Sequence, residues 1–200
     1  MLASAAIGYL IGSLPFGYLA ARRWADVDLR HVGSGNVGAT NVLRVSGPSL
    51  GALVMAADMA KGAAAVALAG GVASSGEASV TAGVAAVAGH MFPIWLGGRG
   101  GKGVATACGA FALLAPVATA VAAGVFVSTV WLTRMVSLGS FAATVTLPLA
   151  AAAAGDSSAV VNGSMAAALA VIWKHRGNLR RLWLGSERRV GQPDGREPRA

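Results

Sequence analysis

Seven apolar stretches dominate the chain and leave little room for any fold other than a bundle of helices across a bilayer. They occupy residues 1–20, 49–73, 80–96, 104–115, 117–132, 137–154 and 159–173. A hydrocarbon core takes about 20 apolar residues as helix, with roughly 17–25 tolerated. Backbone in lipid must satisfy its own hydrogen bonds, so segments of this kind span as helices. Charged residues make up only 12% of the 200, too few to solvate a globular surface, and hydrophobic residues make up 55%. The expected fold is an all-α integral membrane protein.

The stretch 104–115 is under length for a full span, and charge decides whether it counts. Fifteen of the sixteen Lys and Arg lie in the connectors 22–48 and 97–103, at Arg134, or in the tail from Lys174. Seven crossings put all fifteen on one side and leave Glu77 and Asp156 on the other. Six crossings would move Arg134 and the basic tail to the outer face, against the positive-inside rule. The expectation is therefore seven transmembrane helices, N-terminus outside and C-terminus cytoplasmic. No basic residue precedes the first apolar core, and Arg22 and Arg23 follow it, so it reads as a retained span rather than a cleaved signal.

Residues 1–189 read as one membrane domain. Residues 190–200, polar and with Pro193 and Pro198, read as a disordered tail. Spans rich in Ala, Gly and Val predict closely packed helices. The net charge of +8 follows the topology and so argues against nucleic acid as a partner. Cys108 is the one cysteine, which excludes an intrachain disulfide and the cysteine metal motifs.

Three polar connectors carry the chemistry. The first, GSGNVGATNVLR over 33–44, packs glycines, small polar side chains and Arg44 together. Such a segment lets backbone approach a ligand and offers N–H donors and a fixed cation, the requirements for holding phosphate. Its G-x-G-x-x-G is not a dinucleotide site, because no buried strand precedes it. The second, GGRGGKG over 97–103, lacks the leading Gly and the trailing Ser or Thr of a nucleotide P-loop. Its backbone donors, its two cations and the helix that starts after it still favour an anion. The third runs from KHRGNLRR at 174–181 to Gly185-Ser186-Glu187. A basic stop-transfer tail accounts for its arginines but not for His175, Asn178 and Glu187. Within the second span, Asp58 and Lys61 share a helix face, either as an intrahelical pair or as a brace beneath the glycine loops. His90, with Pro93, stands at a helix end before the second motif.

Taken together, GSGNVGATNVLR, AGHMFPIWLGGRGGKGVAT and KHRGNLRRLWLGSE, with MVSLGS between the last two, resemble the bacterial acyl-phosphate:glycerol-3-phosphate acyltransferase family (PlsY). The resemblance covers about residues 11–187. It implies a multi-pass enzyme of the bacterial inner membrane with its site on the cytoplasmic side. That enzyme moves a fatty acyl group from acyl-phosphate to the sn-1 hydroxyl of glycerol 3-phosphate and yields lysophosphatidic acid. It implies neither metal nor organic cofactor. Its partners would be glycerol 3-phosphate, acyl-phosphate and membrane lipid, with the soluble enzyme that makes acyl-phosphate as a further candidate. One departure stands out: Gly98 and Arg99 replace the family's usual aromatic and lysine.

On this resemblance Ser34, Gly35, Asn36, Gly38, Thr40, Asn41 and Arg44 are expected to hold phosphate. Lys102, with the N–H groups of Gly100, Gly101 and Gly103, would stabilise a second anion or the leaving group. Ser137, His175, Asn178 and Glu187 would complete the polar wall around the glycerol. The proton acceptor is either His175, with an ordinary pKa of about 6.5, or the substrate's own phosphate. Ser34 as a covalent nucleophile lacks an adjacent base. The rival classes are a transporter or channel for a phosphorylated anion, and a cationic docking protein; neither would make lysophosphatidic acid.

Overall fold

The computed structural model describes residues 1–72 and 75–192. Every regular element among them is helical: ten α-helices and one 3-10 turn. α1 (Leu2–Gly12) and α2 (Phe16–Trp24) form the first apolar stretch, broken where Pro15 has no N–H to donate. α3 (Ala39–Ser46) lies inside the first polar connector. The other six apolar stretches become α4 (Pro48–Val72), α5 (Gly76–Met91) with a 3-10 turn at Ile94–Leu96, α6 (Val104–Leu114), α7 (Pro116–Thr133), α8 (Val136–Ala153) and α9 (Ser158–Lys174). The basic tail folds as α10 (Arg176–Trp183).

Helix ends follow local chemistry. Ser75 caps α5 by accepting from the Ala78 N–H at 3.2 Å, so the helix absorbs much of the turn expected over 74–79. Ser157 caps α9 through the Val160 N–H at 3.4 Å. Pro116 opens α7, where a missing N–H has no cost, and Ala115 alone separates it from α6.

Among the described residues, five stretches are long and apolar enough to cross a membrane: Leu2–Trp24, Pro48–Val72, Gly76–Leu96, Pro116–Thr133 and Val136–Ala153. α6 and α9 have 11 and 17 residues, roughly 16 and 26 Å at ~1.5 Å per residue. Glycine sets the spacing between these helices. A Cβ on Gly8 or Gly12 of α1 would strike the backbone of Ala82 or Ala86 in α5. One on Gly62 of α4 would strike Thr106 O of α6, and one on Gly109 of α6 would strike Met59 O of α4. Backbone lies against backbone at these crossings, which is how apolar helices gain dispersion energy where lipid offers no hydrophobic drive.

The main core gathers Phe111, Met91, Val87, Leu147 and Val171 from α5, α6, α8 and α9. A second core sets Leu29, Val37 and Val42 against Ala20, Ala21 and Val54, pinning the first connector to α2 and α4. The Asp58–Lys61 pair forms within α4 at 2.8 Å, with both side chains 2% exposed. Lys61 also donates to Leu14 O at 2.8 Å, a carbonyl at the Pro15 break.

The chain does not become free after residue 189. The Val190 N–H donates to Arg134 O in the α7–α8 turn at 2.7 Å, so the expected tail begins as a tied strap. Its end, 193–200, lies outside the described residues.

Candidate active site

The first connector is shaped by its own side chains. Gly33 and Gly35 turn with φ of +59° and +71°. Asn41 lies behind them, 2% exposed; it accepts from the Ser34 N–H at 2.8 Å and donates to Val32 O at 3.2 Å. A Cβ on Gly33 would collide with the Asn41 carboxamide. Asn36 accepts from the Gly38 N–H at 2.9 Å and donates to Gly100 O at 3.4 Å, joining the first connector to the second. Both asparagines are therefore committed to holding backbone. They border the cavity all the same, together with Ser34, Thr40 and Arg44 of the same connector.

The second connector folds back on α5. The Gly100 N–H donates to Met91 O at 3.2 Å and the Gly101 N–H to His90 O at 3.0 Å. These two amides were expected to face an anion; pairing with carbonyls removes them from that task. Gly103, with φ of +85°, precedes α6 and borders the cavity beside Lys102. Gly98 and Arg99 do not border it, so the missing aromatic leaves the cavity wall as it stands.

Lys102 links the second connector to the third by donating to Asn178 Oδ1. Asn178 in turn donates to Glu187 Oε1 at 2.6 Å, and Arg181 Nε meets Glu187 Oε2 at 2.8 Å. Burial pushes the Lys102 ammonium down from its ordinary 10.5 to about 8; the Glu187 carboxylate pulls the other way, and the Arg181 and Arg44 cations add to the depression. His175, at the end of α9, is 3% exposed, and its Nδ1 lies 2.8 Å from Val171 O. Burial, then the charge of Lys102, lowers it to about 4, opposed by the Val171 carbonyl and Glu187. It is neutral at physiological pH. Its Nδ1 carries the proton toward the carbonyl, and Nε2 is left as an acceptor.

All three connectors open onto one cavity of about 730 Å³. Its polar end gathers Ser34, Thr40, Arg44, Lys102, His175, Asn178 and Glu187. Its other end runs between helices past Ala122, Phe126, Val127, Ala143 and Leu147. Ser137, on α8, borders the cavity with a buried hydroxyl that makes no hydrogen bond. Thr119 on α7 does the same. An anionic head and an alkyl tail on one molecule match such a space.

Sequence reasoning missed Arg30, His31, Thr119 and Phe126, all of which border the cavity. Arg30 is held by Asp28 at 2.7 Å and lies over the Tyr18 ring, 5.1 Å from its centroid. Its place three residues ahead of the glycines was a usable signal. Thr119 and Phe126 gave none, because their span is apolar on every face.

Residues 2–185 match the family model described as glycerol-3-phosphate acyltransferase. The chain belongs to the glycerol-3-phosphate acyltransferase family. A glycerol-3-phosphate acyltransferase of Synechococcus sp. (strain CC9902) is 48% identical over 188 residues, covering 94% of each chain. Another, of Rhizobium meliloti (strain 1021), is 44% identical over 194 residues, covering 96% of this chain and 93% of its own. The fold agrees with crystal structures of PlsY, an integral membrane glycerol 3-phosphate acyltransferase. The glycerol 3-phosphate form gives a TM-score of 0.90 at 38% identity, with 95% of each chain covered. The lysophosphatidic acid form gives 0.87 at 35% identity, also with 95% of each covered. The chain is thus a multi-pass membrane acyltransferase of the PlsY type, and the expected formation of lysophosphatidic acid from glycerol 3-phosphate stands.

Proposed function

We propose that the acyl donor is acyl-phosphate, that the acceptor is the sn-1 hydroxyl of glycerol 3-phosphate, and that the site faces the cytoplasm from a seven-span domain over residues 1–189. The observation that carries this reading is the single cavity with Arg44 and Lys102 at one end and an apolar channel between helices at the other. Two phosphorylated reactants, one with an alkyl chain, call for that division of charge. Short α6 and α9 complete the seven crossings, because only that count keeps the basic connectors together.

Acyl-phosphate is a mixed anhydride and needs no covalent enzyme intermediate. The glycerol hydroxyl oxygen bonds to the acyl carbon, the bond from that carbon to the bridging phosphate oxygen breaks, and inorganic phosphate leaves. Arg44, Ser34 and Thr40 hold the phosphate of glycerol 3-phosphate. Lys102, positioned by Asn178 and Glu187, balances charge on the departing phosphate, with the Gly103 backbone beside it. Ser137 and His175 wall the glycerol, and the neutral His175 Nε2 accepts from the hydroxyl and aims it. A phosphate monoester has its second pKa at about 6, above the value of about 4 for His175. The substrate phosphate is therefore the stronger base and takes the proton. Asn36, Asn41, Gly35, Gly38, Gly100 and Gly101 give the loops their shape.

The test is to incubate the purified protein with acyl-phosphate and labelled glycerol 3-phosphate. The expected result is equal yields of lysophosphatidic acid and inorganic phosphate, with Arg44→Ala and Lys102→Ala both losing most turnover while staying folded. Turnover with acyl-CoA but not acyl-phosphate would overturn the donor assignment. Wild-type rates in both variants would overturn the site.

A further inference from the structure

Three ionisable side chains inside the bundle form a connected chain, of which Asp58 and His90 also border the cavity while Lys61 lies behind them. Lys61 bridges Asp58 on its own helix and Leu14 O at the α1–α2 break, each at 2.8 Å. Asp58 faces His90 Nδ1 at 3.4 Å. The His90 ring then fills the space beside Gly101, where a Cβ would collide with Nε2, while its backbone carbonyl accepts from the Gly101 N–H at 3.0 Å. Gly101 precedes Lys102 directly. The chain therefore runs from the break in the first apolar stretch, through α4 and α5, to the loop that carries the ammonium.

An ion pair this deep is costly to desolvate, and replacing it with apolar residues is often neutral or stabilising. Stability alone does not account for it. Direction does: a buried carboxylate fixes the orientation of an imidazole far more tightly than apolar packing, as the partners of metal-bound histidines do. We propose that Lys61, Asp58 and His90 are positioning residues that hold the glycine loop at the height where Lys102 meets Asn178. Lys61 anchors Asp58 to the helix break, Asp58 sets the His90 ring, and the ring with its own carbonyl sets Gly101. The consequence for catalysis rests on the role given to Lys102 above.

Two variants test this in the purified full-length protein. His90→Phe keeps a ring beside Gly101 and removes the link to Asp58. Asp58→Asn with Lys61→Met removes both buried charges together. The readout is the rate at which an amine-selective reagent modifies Lys102 relative to Lys174 in the same molecule, measured by mass spectrometry, alongside kcat and KM. In both folded variants Lys102 should react about tenfold faster relative to Lys174, and kcat should fall by up to about 10²-fold, the scale of a displaced catalytic group. KM for glycerol 3-phosphate should stay within about threefold, because an interaction made only in the transition state is lost. Folded variants with the wild-type labelling ratio would overturn the proposal. Failure of both to fold would also overturn it, by showing a purely structural pair. A raised ratio with wild-type turnover would uphold the positioning and sink the catalytic role of Lys102 instead.

Discussion

On the proposed function Lys102 is a buried cation kept for a ligand, and replacing it should make the unliganded protein more stable. The perturbation is Lys102→Met, which keeps the stem and removes the ammonium. A lysine that titrates at about 8 rather than 10.5 carries its charge at neutral pH against burial. At about 1.4 kcal/mol per pH unit, that cost is roughly 3 kcal/mol. The bond to Asn178 offsets about 1.5 kcal/mol of it, leaving a net gain of ~1–2 kcal/mol for the variant. For a chain of this size that raises the unfolding temperature by a few degrees, at about 2–4 °C per kcal/mol. The sign also fixes the pH dependence. Below about 8 both states of the wild type are charged, and the folded state bears the full cost. Between about 8 and 10.5 the folded lysine is neutral while the unfolded one still binds its proton, so wild-type stability climbs and the gap to the variant closes. Thermal unfolding of the purified proteins at pH 7 and pH 10.5 measures both effects. A variant that unfolds below the wild type at pH 7 would refute the reasoning, as would a gap that is unchanged at pH 10.5.

Gly109→Leu should destabilise the bundle by at least about 1–3 kcal/mol, because its side chain would strike Met59 O across the α4–α6 crossing; an unchanged melting temperature would contradict the backbone contact. Because the His175 value is depressed to about 4, its ring stays neutral down to about pH 5; imidazole nitrogen NMR should show no titration of His175 between pH 5.5 and 8. Single cysteines at Asn36 and Asn178 should react with an impermeant reagent from the cytoplasmic side, and those at Glu77 and Asp156 from the outer side. Labelling that sets Asn36 and Asn178 on opposite faces would end the seven-span topology.

How much of the site could be read ahead depended on distance along the chain. Gly33 and Gly35 announced a tight turn in a polar connector, since the conformation of such a segment is written in its own residues. The partners of its asparagines were not. Asn36 reaches Gly100 across 64 residues and Lys102 reaches Asn178 across 76. Nothing local separates an asparagine that grips a substrate from one that ties two loops together. His175 shows the same limit from another side: its ordinary pKa suits a base, and only burial beside Lys102 makes it too weak for that task.

The sequence by itself determined the helices, the apolar lengths of the spans and the three polar connectors that border the cavity. Apolar length and residue-specific turns are local properties, and lipid allows spanning backbone little freedom beyond the helix. The tertiary structure alone decided which face of each span lines the cavity and which polar groups remain for a ligand. A helix that is apolar all round gives no periodic signal to tell lipid from channel, as with Thr119 and Phe126 on α7. Depth of burial and long-range pairing, which set the charge states of Lys102 and His175, exist only once the helices have packed.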